Sequence, residues 1–441
     1  MKFIIQGCNE DLESNGGLVL AGKILGGLDL DRRLNGIIIE DVLEPKISNA
    51  DVVRAYFGLL VLGKTNYEEI EGYRHAGYFR RALGIKRVPS AATLRQRLDS
   101  ARGRFDAVIK EANAGLLSKV ELTPVKTEFG EYLPLDVDVS PFDNSRTHKE
   151  CVGRTYKGMD GYAPNFAYIG MEGYMLNCEL RPGTQHCQKG TPEFLAATFE
   201  LLNMSGISAE VLVRMDSGND AAQNVHGLRA AGKHYLIKRN LRKEKLEDWL
   251  GIARIYGEKR EPRPGKTVYI GSCCRFMDDG HGNSEPWRIV FEVTVRTITA
   301  KGEQLLIPEI EADTYWTDLP EHAQTVIDLY HAHGTSEQFH SELKTDMDVE
   351  RLPSGKFQTN STVLQTAMVA FNALRRIGQG FLGLKAGLPR ALKVQRLRLR
   401  TVLQDVMYLA CKYVSRGRQH YLKFKSRDYR LNILQLLYAR L

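Results

Sequence analysis

Residues 133–140 read LPLDVDVS, and the alternation in that octet decides the fold. Leu135, Val137 and Val139 face one way along a strand, and Asp136 and Asp138 face the other. A second run, VLVRMD at 211–216, is apolar and β-branched until it ends in Asp216. Acids on buried strands are costly unless something pairs with them. A third acid, Glu337, stands in YHAHGTSEQFHSELKTD at 330–346, a segment that reads as helix and carries Lys344 seven residues later. Several acids held on a rigid framework make a cage for a hard divalent cation. The combination points to metal-assisted phosphodiester chemistry.

Outward from the octet, YAPNFAYIG and GYMLNCELRP read as two strands joined by a tight turn between Gly170 and Gly173. A helix then opens at Thr191-Pro192-Glu193, with Thr191 as its cap. The strand ending at Asp216 follows, Asn219 is placed to cap the helix NDAAQNVHGLRAAG, and HYLIKR makes a further strand. This order predicts a mixed α/β sheet with helices on its faces. Next, a charged helix around 243–249 leads into KTVYIGSCCRF, WRIVFEVTVRTIT and EQLLIPEIEA, a mostly β insertion. DTYWTDL and the helix through Lys344 then return to the main sheet.

The first 125 residues read as helical. Ser48 and Ser90 are the N-cap candidates, and Leu94, Leu98 and Phe105 recur at helical spacing. Arg95, Arg97, Arg102 and Arg104 share that segment, which suits either a DNA-reading helix-turn-helix variant or a plain bundle with a basic surface. The expected division is a helical DNA-binding domain at 1–125, a catalytic core at 126–240 and 311–385 interrupted by the β insertion at 241–310, and a basic C-terminal region at 386–441.

Composition sets the bounds. A chain of 441 residues, 43% hydrophobic and 26% charged, is an ordinary globular protein with room for two or three cores. Its apolar runs are too short for a membrane span, and acidic residues arrive too early for a secretory leader. Seven scattered cysteines without C-x-x-C spacing argue against disulfides and structural zinc, so a reducing cytoplasm is expected. The net charge is +8. Between Ala391 and Arg430, eleven basic residues (Lys393 among them) face only Asp405 and Asp428, the footprint of a polyanion partner or of a solvated basic face.

In the third segment, Tyr330, His333, Glu337 and Lys344 are spaced so that one continuous helix would align all four. Alternatively, Gly334 breaks the helix and Thr335 or Ser336 caps a new one. Lys149, Arg154 and Lys157 are phosphate-contact candidates or solvated loop cations. Trp287 and Trp316 are read as core, with stacking on an extruded base as the rival role. His186 and Cys187 lack a second ligand pair and read as structural.

Taken together, DVDVSPFDNSRTHKE, GRTYKGMDGYAPNFAYIG, NCELRPGTQHCQKGT, RMDSGND and YHAHGTSEQFHSELKTDMDVERLPSGKF resemble bacterial insertion-sequence transposases of the DDE type. The resemblance is to the insertion-sequence thirteen-eighty family within the insertion-sequence-four superfamily. It implies an RNase H-like core and a catalytic, metal-binding triad of Asp138, Asp216 and Glu337. Asp138 is preferred over Asp136 and Asp143 because the family acid is followed closely by Ser or Thr, here Ser140. Glu342 fails the family spacing to Lys344, and Asp220 lies past its strand and resembles a helix-start acid. The family's third motif has Tyr, Arg, Glu and Lys where this chain has Tyr330, His333, Glu337 and Lys344, so His333 departs from it. A histidine grips phosphate less firmly than an arginine.

The resemblance further implies two Mg²⁺ ions per site, with Mn²⁺ as the alternative, terminal inverted repeats and target DNA as partners, and a homodimer on DNA. It implies a nucleoid-associated cytoplasmic enzyme that cuts at element ends and transfers strands, with a hairpin on the excised end as a step it raises. A catalytically inactive DNA-binding repressor and a repair nuclease are the competing functions.

Overall fold

The computed structural model describes residues 3–42, 45–278, 282–299, 301–384 and 394–441; Lys393 of the basic run lies outside them. Its centre is a ten-stranded sheet. Nine strands run in line: β1 (Glu131–Val139), β2 (Asn165–Ile169), β3 (Tyr174–Glu179), β4 (Val211–Met215), β5 (His234–Lys238), β6 (Gly257–Arg263), β7 (Lys266–Asp278), β8 (Ser284–Ile298) and β9 (Gln304–Thr317). The tenth, Val125–Lys126, pairs with the start of β1. The spatial order is β6-β7-β8-β9-β5-β4-β1-β2-β3. Within it, β1, β4 and β5 are parallel, and β2 lies antiparallel between β1 and β3. The order 3-2-1-4-5 with strand two reversed is the expected RNase H-like sheet.

The insertion differs from expectation in one respect. EQLLIPEIEA and DTYWTDL are halves of one strand, β9, which pairs with β8 along most of its length and with β5 at its end. The β-rich segment therefore extends the main sheet. Pro308, inside the first half, has no N–H to give, and the β8–β9 register slips opposite it, between Arg296 and Ile298. The outer edge, β6, reads GEKREPR; its charges and Pro262 blunt edge-to-edge pairing.

Helices cover both faces. One core runs unbroken from Leu18 through Leu135, Val137, Val213 and Met215 to Leu437. Its centrepiece is a 27-residue helix, Phe357–Gly383, buried on almost every side. Asn372 on it receives the Met175 N–H of β3 at 2.8 Å and donates to Asn113 of the helix Asp106–Leu117 at 2.7 Å, so its buried amide is matched. A second core on the opposite face joins Leu212, Leu236, Val290 and Tyr315 to Val326, Ile327 and Leu329. Those last three belong to the helix Ala323–His333, and Asp136, Asp138 and Arg214 project to the same side. Among the described residues no helix is long and apolar enough to cross a membrane.

Two helix starts move. The helix expected to be capped by Thr191 is capped by Gly190 in the left-handed region, and the Thr191 hydroxyl donates to the Cys187 carbonyl at 2.7 Å. Asn219 does not cap either; its helix starts at Ala222, and the Asn219 side-chain amide donates to Asp216. The four N-terminal arginines are each paired within the chain: Arg95 with Glu68, Arg97 with Asn49, Arg102 with Asp41 and Arg104 with Glu40.

Candidate active site

Parallel pairing of β1 and β4 is what brings two acids together. Val137 is in register with Met215, so Asp216, the first residue past β4, lies beside Asp138, which is still within β1. Asp216 accepts from the Gly218 N–H at 3.1 Å and the Asn219 side chain at 3.0 Å. Burial and the neighbouring Asp138 charge push its carboxyl above the ordinary range. Asp138 behaves oppositely. Burial would raise it, yet a 3.1 Å hydrogen bond from His340 Nε2, with help from His333, holds it below the ordinary range.

Behind this pair lies a closed ion network. Arg214 is in register with Asp136 and grips both its oxygens, at 2.7 and 2.9 Å. His333 completes it with Nδ1 at 2.8 Å from Asp136. Its neighbour Arg214 also donates to the Leu329 carbonyl at 2.8 Å, tying the helix Ala323–His333 to the sheet. His333 is only 6% exposed. Burial pulls its pKa down, but the charge of Asp136 overrides this and raises it. At position 333 the structure thus places an internal partner for Asp136.

The third segment is broken, as one of its two readings allowed. The first helix ends at His333, Gly334 caps it, and a short helix follows over Ser336–Ser341. A single wide turn, Glu342–Asp346, continues it and carries Lys344. Phe339 anchors the short helix against Gly173, where a Cβ would come within 2.1 Å of its ring. Glu337 sits exposed in the first turn. Lys344 reaches back to the Pro141 carbonyl at 2.7 Å, just past Asp138. Burial lowers its pKa while Glu337 and Asp138 draw it upward. Tyr330 packs on Tyr315, and burial together with Asp216 and Asp138 raises its hydroxyl.

Among the described residues no three His, Cys, Asp or Glu side chains are gathered closely enough to form a ready cation cage. What is present is a pair of neighbouring carboxylates with a deficit of positive charge, felt at Asp216, and a third acid nearby. All three acids raise the hydroxyl of one residue, Tyr156, after burial itself. Such a donor set suits a hard divalent ion.

The rival acids are otherwise occupied. Asp220 receives the Trp316 indole at 2.9 Å and the Asn240 N–H at 2.9 Å, so it is a staple within the fold and not a helix-start acid. Glu342 is buried against Arg375 at 2.6 Å. Asp143 caps its own turn through the Ser145 N–H. Trp287 and Trp316 lie in the core, edge to face at 5.4 Å. His186 and Cys187 approach to 3.8 Å, and the Cys187 thiol donates to the Gly218 carbonyl at 3.0 Å.

The cations divide. Lys149 is half-buried and donates to Asn144 and to the carbonyls of Arg351 and Leu352. Arg154 is exposed beside Asp160, and Lys157 is exposed next to Tyr156. In the C-terminal run, Arg398 and Arg400 both pair with Asp346, and Arg396 lies 3.5 Å from Glu342. Exposed basic charge is concentrated instead around the hairpin Cys411–Arg416 and Gln419–Lys423, on Arg416, Arg418, Lys423, Lys425 and Arg427.

Sequence reasoning missed His340 and Tyr156. His340 stands three residues after Glu337, a helical neighbour that spacing alone could have flagged. Tyr156 lies in the loop 155–158, which is supported by close backbone contacts. A Cβ on Gly161 would come within 1.8 Å of the Phe142 carbonyl oxygen. Gly161→Ala is expected to cost about 1–3 kcal/mol through overpacking, read as a lower urea midpoint at unchanged slope; an unchanged midpoint would refute the tight support.

Comparison with known proteins gives one family. The model described as transposase DDE domain, group 1, matches residues 5–441. Among solved structures, this chain is similar to a piggyBac transposase in a synaptic complex with hairpin DNA, at 11% identity and a TM-score of 0.40 over 97% of this chain and 80% of that one. No curated protein matches.

Proposed function

Because this chain belongs to the transposase DDE domain group 1 family, we propose that it cuts DNA at the ends of a mobile element and joins them to target DNA. Asp138, Asp216 and Glu337 are the catalytic acids and would hold two divalent cations, Mg²⁺ foremost. Such ions supply an activated water or hydroxyl nucleophile and stabilise the leaving oxygen. The observation that carries this reading is the parallel register of β1 and β4, Val137 opposite Met215, which sets Asp138 and Asp216 side by side. Two half-buried acids in that arrangement, with the carboxyl of Asp216 raised by burial and by its neighbour's charge, suit a shared cation.

The chain's own residues have separable tasks in this reading. His340 fixes the orientation of Asp138 through Oδ2. Its own Nδ1 is held 3.2 Å from the Tyr168 hydroxyl. Lys344 and Tyr330 feel the charges of the acids, and together with the exposed Lys157 and Arg154 they would receive the phosphates of the DNA end. His333 and Lys149 support the scaffold, and the basic hairpin at 411–427 would lie along the DNA backbone. The segment 1–125 would add contacts to the terminal repeats, and synapsis of two ends would require a dimer.

The test is a nicking assay on DNA carrying the sequences that flank the gene, with Mg²⁺ or Mn²⁺. Wild type is expected to cut at the ends. Tight binding with no cutting in either ion would favour a DNA-binding repressor, and equal cutting of DNA without the flanks would favour a general nuclease. His340→Phe keeps ring bulk but loses the bond to Asp138. Loss of a group that orients a metal ligand costs about 10–100-fold in metal affinity or rate, so its cleavage should require more Mg²⁺. An unchanged Mg²⁺ titration would remove His340 from this role.

A further inference from the structure

We propose that Tyr156 is a stacking platform for a nucleobase next to the phosphodiester held at the acids. The proposal rests on the transposase reading of the site. Most large aromatic side chains here are buried, the tryptophans among them, whereas Tyr156 is 66% exposed. Yet it is not loose. Its hydroxyl donates to the Val139 carbonyl at 3.0 Å, one residue beyond Asp138. The loop beneath it is closed by Thr155 N–H to Met159 at 2.9 Å and Gly158 N–H to Thr155 at 2.9 Å. The backbone beneath is closely packed: a Cβ on Gly183 would come within 2.1 Å of the Gly161 carbonyl and 2.3 Å of the Gly153 carbonyl. An exposed ring pinned at its tip is pre-organised, so little conformational freedom is lost when something lies on it.

The surroundings indicate what that something is. The Tyr156 hydroxyl is bonded to the residue that follows Asp138, and the charges of Asp138, Asp216 and Glu337 all bear on it, so the ring stands beside the acids. Lys157 Nζ lies 5.9 Å from the ring centroid, and Lys157 also acts on Lys344 across the site. An apolar, flat, exposed surface flanked by cations and set beside a phosphodiester-cutting centre matches a base still attached to its phosphates. A simple apolar ligand would have no use for the cations, and a bare phosphate none for the ring. Stacking of this kind tolerates any base, since each has a π face. Tyr156 would therefore hold the strand end without reading its sequence.

The experiment crosses protein and DNA changes in Ca²⁺ with full-length protein and end DNA, so that binding is read without cutting. Wild type, Tyr156→Ala and Tyr156→Phe are each titrated against intact ends and ends with an abasic site moved one nucleotide at a time across the cut region. Base stacking is worth about 1–3 kcal/mol, so Tyr156→Ala should bind intact ends about 5–150-fold more weakly. At one or two abasic positions that penalty should vanish, because wild type has lost the same contact. Tyr156→Phe, which keeps the ring, should recover most of the affinity. Equal losses on intact and every abasic DNA, or no loss at all, would overturn the platform, as would wild type that does not bind the ends. Melting temperatures of the three proteins separate misfolding from lost contact. A wild type that shows this coupling but never nicks in Mg²⁺ would keep the platform and reject the transposase reading.

Discussion

Asp216→Asn should abolish end cleavage while leaving the protein folded, and in metal-free buffer it should melt higher than wild type. The two effects come from the same geometry. Asp216 leaves its strand beside Asp138, and burial together with that neighbour's charge raises its carboxyl. A carboxyl that is raised on folding binds its proton more tightly in the native than in the unfolded state. It therefore costs stability once pH lies above its folded pKa. That cost fades as pH falls through the folded value toward the ordinary aspartate value of about 3.9. Asparagine removes the charge and keeps the shape, so the gain should be largest at neutral pH and close in acid. Its amide oxygen can still accept from Gly218 and Asn219.

Divalent cation should invert the comparison. A ligand that binds only the native state stabilises it by mass action, so Mg²⁺ should raise the melting temperature of wild type and hardly move Asp216→Asn. Catalysis loses several kcal/mol of charge stabilisation with the ligand, which is at least about a thousandfold in rate. Nicking on end DNA and thermal melts from pH 4 to 8, with and without Mg²⁺, read all of this. Equal cutting by the two proteins would sink the role of Asp216, and a lower melting temperature for the variant at pH 7 would sink the electrostatic argument.

How much of this was legible in sequence depended on whether the cause was local. The alternation in LPLDVDVS and the apolar run ending in Asp216 declare strands directly, whereas the spatial order that makes those two strands neighbours comes from the folded sheet. Failures arose where one residue's role was taken by another at close range. Asn219 looked like a cap, but its side chain is spent on Asp216. EQLLIPEIEA and DTYWTDL read as two strands, and only the fold joins them into one. Asp220 looked like a helix-start acid, and only the fold shows it receiving the indole of Trp316, 96 positions away. The identity of the residue behind Asp136 was equally invisible. His333 reads as a weakened phosphate contact until the fold places its ring on a buried acid and raises its proton affinity. Tyr156 was hidden in plain view, between two cations that drew the functional reading to themselves.

The largest stability effect should come from the network behind the acids. Asp136 and Arg214 are both almost fully buried and joined through two hydrogen bonds, with His333 on the same carboxylate. Arg214→Met removes the cation and leaves Asp136, only 3% exposed, without its main partner. Breaking one side of a buried pair costs about 3–5 kcal/mol, whereas replacing both sides by apolar groups is often neutral. The single variant should therefore lose about that much by urea titration, and Asp136→Leu with Arg214→Met should recover most of it. Function should not recover with stability. Arg214 also holds the Leu329 carbonyl at 2.8 Å, and that bond ties the helix leading into Gly334 and Glu337 to the strand that ends in Asp216. Without it the third acid loses a fixed relation to the other two, so the double variant should be folded, DNA-binding and slow, with cleavage down about tenfold or more, since a small misplacement of reacting groups costs that order in rate. A double variant cutting at the wild-type rate would show that the network serves the fold alone, and a single variant losing less than about 1 kcal/mol would show that Asp136 finds another partner.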